Sequence, residues 1–329
     1  MLRTPAAPSA MVLLTVLACS SRGEAEPDRP VSGSSMVVTP PSRAPSAAPA
    51  LGRDEAPNGP NKAALPPKNE VFLRAEVRST LEAAVIKGAG AEVGPALSQV
   101  LKRALVWWVN PRTDLWKGDQ VEAVYETRAD AEPVVHAVWF HSTKLDRDFS
   151  AVYFKPRGAA HSRWYQPDGS ELELALENSP ILEYEQITAL LRDGRGHRGV
   201  DFKAPVGTPI YAPFAGTVQR VNWSRRANGN CVDIETRGGR RIFLLHLDRV
   251  DATIRPGVRV RAGQQIGLSG NTGRSTAPHL HYQMQQGPRG RVLDPFRVHE
   301  THRRKLSEAQ AKHMRARMAA LAKQRSRSR

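Results

Sequence analysis

The pentapeptide Pro278-His279-Leu280-His281-Tyr282 constrains this chain more than any other stretch. Side chains two apart on a strand share a face, so His279 and His281 look one way while Leu280, Tyr282 and Met284 form an apolar opposite side. Pro278 and the turn-forming run Ser269-Gly270-Asn271-Thr272-Gly273 set where the strand starts. The pattern predicts a strand that is buried on one face and carries two imidazoles on the other.

Upstream stands His197-Arg198-Gly199-Val200-Asp201. The spacing of His197 and Asp201 lets an extended or loosely coiled backbone aim both inward, and Gly199 leaves room for close packing or for a substrate. Imidazole nitrogen and carboxylate oxygen both suit zinc, and catalytic zinc usually keeps three protein ligands at about 2.0–2.2 Å with a fourth position for water, whose pKa falls to roughly 7. Two His and one Asp meet that count. Hydrolysis of an amide also needs groups that move protons and stabilise an oxyanion, and the spare histidines are the candidates. His246 ends the apolar run Ile242-Phe243-Leu244-Leu245, and His279 shares the face of His281.

The order H-x-x-x-D, then a strand ending in His-Leu, then T-G-x-S-T-x-P-H-L-H closely resembles the lysostaphin-type, or LytM-like, zinc metalloendopeptidases, which cut peptide cross-links of bacterial cell walls. The similarity runs from roughly Gly196 to Val298 and takes in Ala204-Pro205-Val206-Gly207-Thr208-Pro209-Ile210, Gly216-Thr217-Val218, Gly229-Asn230, Gly263-Gln264-Gln265-Ile266-Gly267 and Asp294-Pro295. The resemblance implies one Zn2+ held by His197, Asp201 and His281, with His246 and His279 as the catalytic pair and peptidoglycan as the partner. Relatives that have lost ligands activate cell-wall amidases instead, whereas all five positions are occupied here. A non-catalytic wall-binding or amidase-activating module is the alternative. Two departures stand out: Ala277 replaces the usual Gly, and the segment between Ile187 and His197 is shorter than the loop that precedes the first ligand in many relatives.

Other candidates carry blander readings. His299-Glu300-Thr301-His302 looks like a clipped zincin signature, but its second His comes one position early for a helical pair, which leaves it as a surface tail. His136, His141 and His161 lack a carboxylate at ligand spacing and read as structural or surface groups. Trp107 and Trp108 follow the apolar period Leu97, Val100, Leu101, Ala104, Leu105, so packing is preferred over sugar stacking. Cys231, ahead of Val232-Asp233-Ile234-Glu235, reads as a small apolar strand residue.

With 329 residues, 40% of them hydrophobic, there is chain enough for two domains. Residues 1–19 read as a signal peptide: Arg3 precedes the run Met11–Ala18, which is too short to span a bilayer, and a lipobox-like Cys19 follows. Export to the periplasm or cell envelope is the expectation, either as a lipoprotein anchored through Cys19 or by ordinary secretion with cleavage nearby. Residues 20–67 form a Pro/Ser/Ala-rich linker, expected to be disordered. Residues 68–179 are expected as a smaller α+β regulatory or spacer domain, with helical periodicity at Phe72, Ala75, Leu81, Ala84 and Val85 and a second run through Trp108. Residues 180–300 are expected as the mainly β catalytic domain, an antiparallel sheet with a groove floored by the histidine strands and walled by Ser224–Asn228 and Asn271–Ala277. Residues 301–329 form a basic helical tail that carries a visible share of the net charge of +16. Export would remove nucleic acid as its partner, which leaves an anionic membrane surface or wall polymer, or solvent alone.

Overall fold

A computed structural model describes residues 70–129, 131–191 and 196–327. The expected signal segment, Cys19 and the linker lie outside the described residues. Among those described, no helix is long and apolar enough to cross a membrane.

The first layer is an antiparallel sheet of β1 (Val71–Glu76), β2 (Gln120–Arg128), β3 (Ala131–Ser142), β4 (Arg147–Phe154) and β5 (Arg163–Tyr165), in that order, with helix α1 (Leu81–Leu105) between β1 and β2 in sequence. The helical periodicity expected from Phe72 onward gives way here to a strand. Leu73, Ala75 and Val77 are buried at every second position, so a period of two prevails over a helical one through Val77 and no helix starts before Thr80. There the helix does begin, with the Thr80 hydroxyl accepting from the Ala83 N–H at 3.0 Å. Gly90, at φ 86° and ψ 164°, breaks α1 into two runs, and Gly94 lets them close up because a Cβ there would lie 2.5 Å from Ile86 Cα. Leu81, Val85, Leu97, Leu101 and Leu105 then pack on Val121, Ala123, Val138 and Phe140 of the sheet.

The second layer holds β6 (Ala175–Leu176), β7 (Gln186–Ala189), β8 (Val200–Lys203), β9 (Pro209–Tyr211), β10 (Gly216–Val221), the short helix α2 (Arg225–Asn228), β11 (Asn230–Thr236), β12 (Arg240–Val250), β13 (Arg259–Val260), β14 (Gln265–Ser269), β15 (His279–Gln286), β16 (Val292–Leu293) and the turn of helix α3 (Pro295–Val298). Its main sheet runs β13-β10-β11-β12-β15-β8-β7, with β14 bridging β12 and β9. The apolar side chains expected on β15, Leu280, Tyr282 and Met284, are fully buried in this core beside Phe202, Ile234 and Leu244. Among the described residues the first layer is thus α+β and the second mainly β, and the sheets are antiparallel.

After α3 the chain turns back. β17 (Thr301–His302) pairs with β6, and helix α4 (Glu308–Arg327) lies on the free face of the first sheet, where Met314 and Leu321 are buried against Val124, Ala137, Val152 and Tyr165. Arg317 pairs with Glu70 at 2.6 Å, and Arg325 pairs with Glu122. The basic tail therefore has an internal partner: one stripe of it is core, and two of its arginines neutralise carboxylates of the first layer. His299 is corrected as well. It is buried, with Nε2 2.7 Å from the Tyr282 hydroxyl and Nδ1 2.7 Å from the Glu177 carbonyl oxygen, so it is part of the core and not surface tail.

Candidate metal centre

Register brings the centre together. β15 lies antiparallel to β8 with His281 directly opposite Asp201, and on its other side Leu245 of β12 faces His281. Gly199 makes the close approach possible, since a Cβ there would sit 2.4 Å from the Tyr282 carbonyl oxygen and 2.9 Å from His281 Nε2. The sequence allowed either close packing or substrate at Gly199; the structure uses it for packing.

Three donor atoms converge. His281 Nδ1 lies 2.9 Å from Asp201 Oδ1, His197 Nε2 lies 3.1 Å from the same oxygen, and the two ring nitrogens are 3.1 Å apart. A triangle of this size admits one ion at about 2.0–2.2 Å from each corner, and the N, N, O donor set suits a borderline cation. His197, Asp201 and His281 are the one such cluster among the described residues. Burial alone would raise the Asp201 carboxyl, but the facing His197 and His281 imidazoles outweigh it and hold it well below the usual carboxylate range.

The other two histidines stand beside this triangle, with ring centroids 4.9 Å apart. His246 does not end its strand as the sequence suggested. β12 continues to Val250, and His246 sits where its neighbour changes from β15 to β14, at a backbone φ of 63°. That left-handed kink turns its imidazole toward His279 and His281. Its Nδ1 lies 2.9 Å from the Thr272 carbonyl oxygen. A carbonyl only accepts, so Nδ1 bears the proton and Nε2 is the free acceptor. Burial pushes His246 down to about 4, so the ring is neutral at pH 7. His279 is held the same way, Nδ1 at 2.8 Å from the Ala277 carbonyl oxygen and 3.1 Å from Ser275 Oγ, with Nε2 3.8 Å from Asp201 Oδ1.

Two positioning groups were not legible as such in the sequence. Thr272 orients His246 through its backbone carbonyl and ties its loop down with its hydroxyl, which donates to the Leu247 carbonyl at 2.6 Å and accepts from the Asn230 N–H at 2.9 Å. The turn signal Asn271-Thr272-Gly273 was its only trace. Ala277 likewise acts through its carbonyl, which any residue supplies, so replacing the usual Gly leaves that contact intact. The expected walls also meet, the Arg274 N–H donating to the Ala227 carbonyl at 3.0 Å.

The residues set aside in sequence stay outside the centre. His136 meets Glu126 across a hairpin at 3.3 Å, and His141 meets Asp148 at 3.0 Å. Trp107 packs edge-on against Phe296 at 5.5 Å and Trp108 stacks on Phe149 at 5.4 Å. Cys231 is buried and free, and burial pushes its thiol up to about 11.

Residues 195–295 match Peptidase family M23. The chain is 30% identical over 209 residues to the peptidoglycan DD-endopeptidase ShyC of Vibrio cholerae, an overlap of 59% of this chain and 46% of that protein. It is 44% identical over 92 residues to the glycyl-glycine endopeptidase ALE-1 of Staphylococcus capitis, covering 28% of this chain and 25% of that one. Among solved structures, the catalytic domain of lysostaphin from Staphylococcus simulans aligns at 32% identity with a TM-score of 0.30, over 38% of this chain and 90% of that one. The chain spans less than half the length of the curated relatives it matches.

Proposed function

With residues 195–295 forming a domain of peptidase family M23, we propose that this chain is a zinc-dependent endopeptidase that hydrolyses peptide cross-links of bacterial peptidoglycan. The observation that carries the reading is the triangle of His197, Asp201 and His281 donor atoms with His246 and His279 beside it. ShyC and ALE-1 are both named as endopeptidases, the first of peptidoglycan. Action on the wall also accords with a chain exported to the periplasm or cell envelope and anchored through Cys19, which we take as its location.

His197, Asp201 and His281 would hold the ion. Bound Zn2+ supplies Lewis-acid chemistry, polarising a carbonyl oxygen and making water more acidic. The remaining work falls to the chain. Asp201 stays ionised and would offset one of the cation's two charges. His246 and His279, each with its Nδ1 proton committed to a backbone carbonyl, offer Nε2 to receive a proton from water, and once protonated they donate to the oxyanion or the leaving amine. Residues 68–179, as the layer that precedes the site, are taken to control access to it.

The test separates ligand from catalyst. His281→Ala is expected to lose both bound zinc and cross-link cleavage. His279→Ala is expected to keep zinc near one equivalent by elemental analysis while kcat falls by about 10²–10⁴-fold. Cleavage that survives both substitutions, or an unaltered ability of the His279→Ala protein to stimulate a separate amidase, would favour the non-catalytic module instead.

A further inference from the structure

The metal centre is only one wall of a larger cavity. A space of about 770 Å³ opens from Asp201 and His279 across to α1 and the turn that follows it. Four basic residues line it: Lys102 and Arg103 of α1, Arg112 after it, and Lys203 on β8. Against them stand two carboxylates, Asp201, which belongs to the metal triangle, and Glu132. Glu132 is taken up by Arg103 at 2.7 Å, and Lys203 is paired with Glu185 at 2.8 Å. Lys102 reaches Glu82 only at 3.5 Å, and the Arg112 guanidinium has no ion pair or hydrogen bond among the described residues. Among the described residues, the cavity that Asp201 and His279 line thus carries positive charge that is only partly neutralised.

From this we infer that Lys102 and Arg112 form a carboxylate-binding subsite, so that the first layer helps select an acidic peptide and not merely cover the cleft. The inference rests on the endopeptidase reading and sharpens it: the preferred cross-link bears free carboxylates near the scissile amide, and an uncharged glycine bridge is the poorer substrate. The Arg112 guanidinium, without a partner among the described residues, and the Lys102 ammonium, which reaches Glu82 only at 3.5 Å, are the groups that gain most from such a ligand, because hydrogen bonds between charged partners exceed neutral ones and little internal pairing is lost.

The test uses the full chain with zinc and two cross-linked muropeptides that differ only in having the carboxylates beside the scissile amide free or amidated. The free acid is expected to be preferred about tenfold in kcat/KM, mostly through KM. Arg112→Gln and Lys102→Gln are each expected to shrink that ratio, and Arg112→Glu to abolish it. Arg112 is exposed, so its replacement leaves the packing of the fold in place, and an unchanged melting temperature verifies this. Equal kcat/KM for the two peptides, or variants that keep the full preference, would overturn the subsite while leaving the endopeptidase standing. If neither peptide is cut, the endopeptidase reading fails, and fluorescence anisotropy of the two labelled peptides decides the subsite: tighter binding of the free acid that Arg112→Glu removes sustains it, and equal binding overturns it.

Discussion

His246 shows how much of this centre depends on single backbone choices. A strand that continued regularly past Leu245 would turn the next side chain away, and the φ of 63° brings it back toward His279 at the cost of a conformation that L residues rarely adopt. Its burial gives a pH signature. The folded value of about 4 lies below the ordinary histidine value near 6.5, so between those limits the unfolded chain binds the extra proton and stability falls as pH drops from about 6.5 to about 4. In the metal-free protein, the His246 ring resonances are expected to titrate near pH 4 by NMR; a midpoint near 6.5 would show the ring to be solvated. Gly199 offers a second test. An alanine there drives its Cβ into the Tyr282 carbonyl and the His281 ring, so Gly199→Ala is expected to weaken zinc affinity about tenfold or more in competition with a chelating dye.

Among the elements, strands with strong alternation were legible and irregular ones were not. The His-Leu-His strand is β15, with its apolar face buried as its pattern required. At His197–Asp201 the sequence left an extended and a loosely coiled backbone open; the strand β8 begins only at Val200, where Val200 and Phe202 are buried and Asp201 and Lys203 lie on the other face, and it is held by pairing with β15 and β7. The ligand set was carried by motif resemblance, whereas the tautomers of His246 and His279 rest on carbonyls of Thr272 and Ala277, and no side-chain pattern records a carbonyl. β1 was masked by apolar residues that also fit a helix. α4 was legible as a helix but not as a packed one, since its buried residues Ala311, Met314 and Leu321 are sparse among lysines and arginines. Leu321 is almost wholly buried against the first sheet, so Leu321→Ala is expected to destabilise the folded chain by about 2–5 kcal/mol in denaturant unfolding, and a change under 0.5 kcal/mol would mean that the helix is not docked.

At the scale of the whole molecule, the chain closes on itself. β17 pairs with β6, and α4 returns to the first sheet, so the segment that follows the metal-binding layer docks on the layer that precedes it. Lys102 and Arg103 of α1 line one cavity with Asp201 and His279, so on the reading proposed above both layers take part in choosing what is cut. On the proposed function, His197, Asp201 and His281 hold a zinc ion that this chain uses to open peptidoglycan cross-links. Mass spectrometry of the fragments released from purified peptidoglycan tests it most directly, with the full chain assayed as purified, after chelation, and after zinc is returned. Uncross-linked muropeptides are expected in the first sample, none after chelation, and their return with zinc but not in His281→Ala. Cross-link cleavage that persists after complete removal of metal, or in His281→Ala, would contradict it.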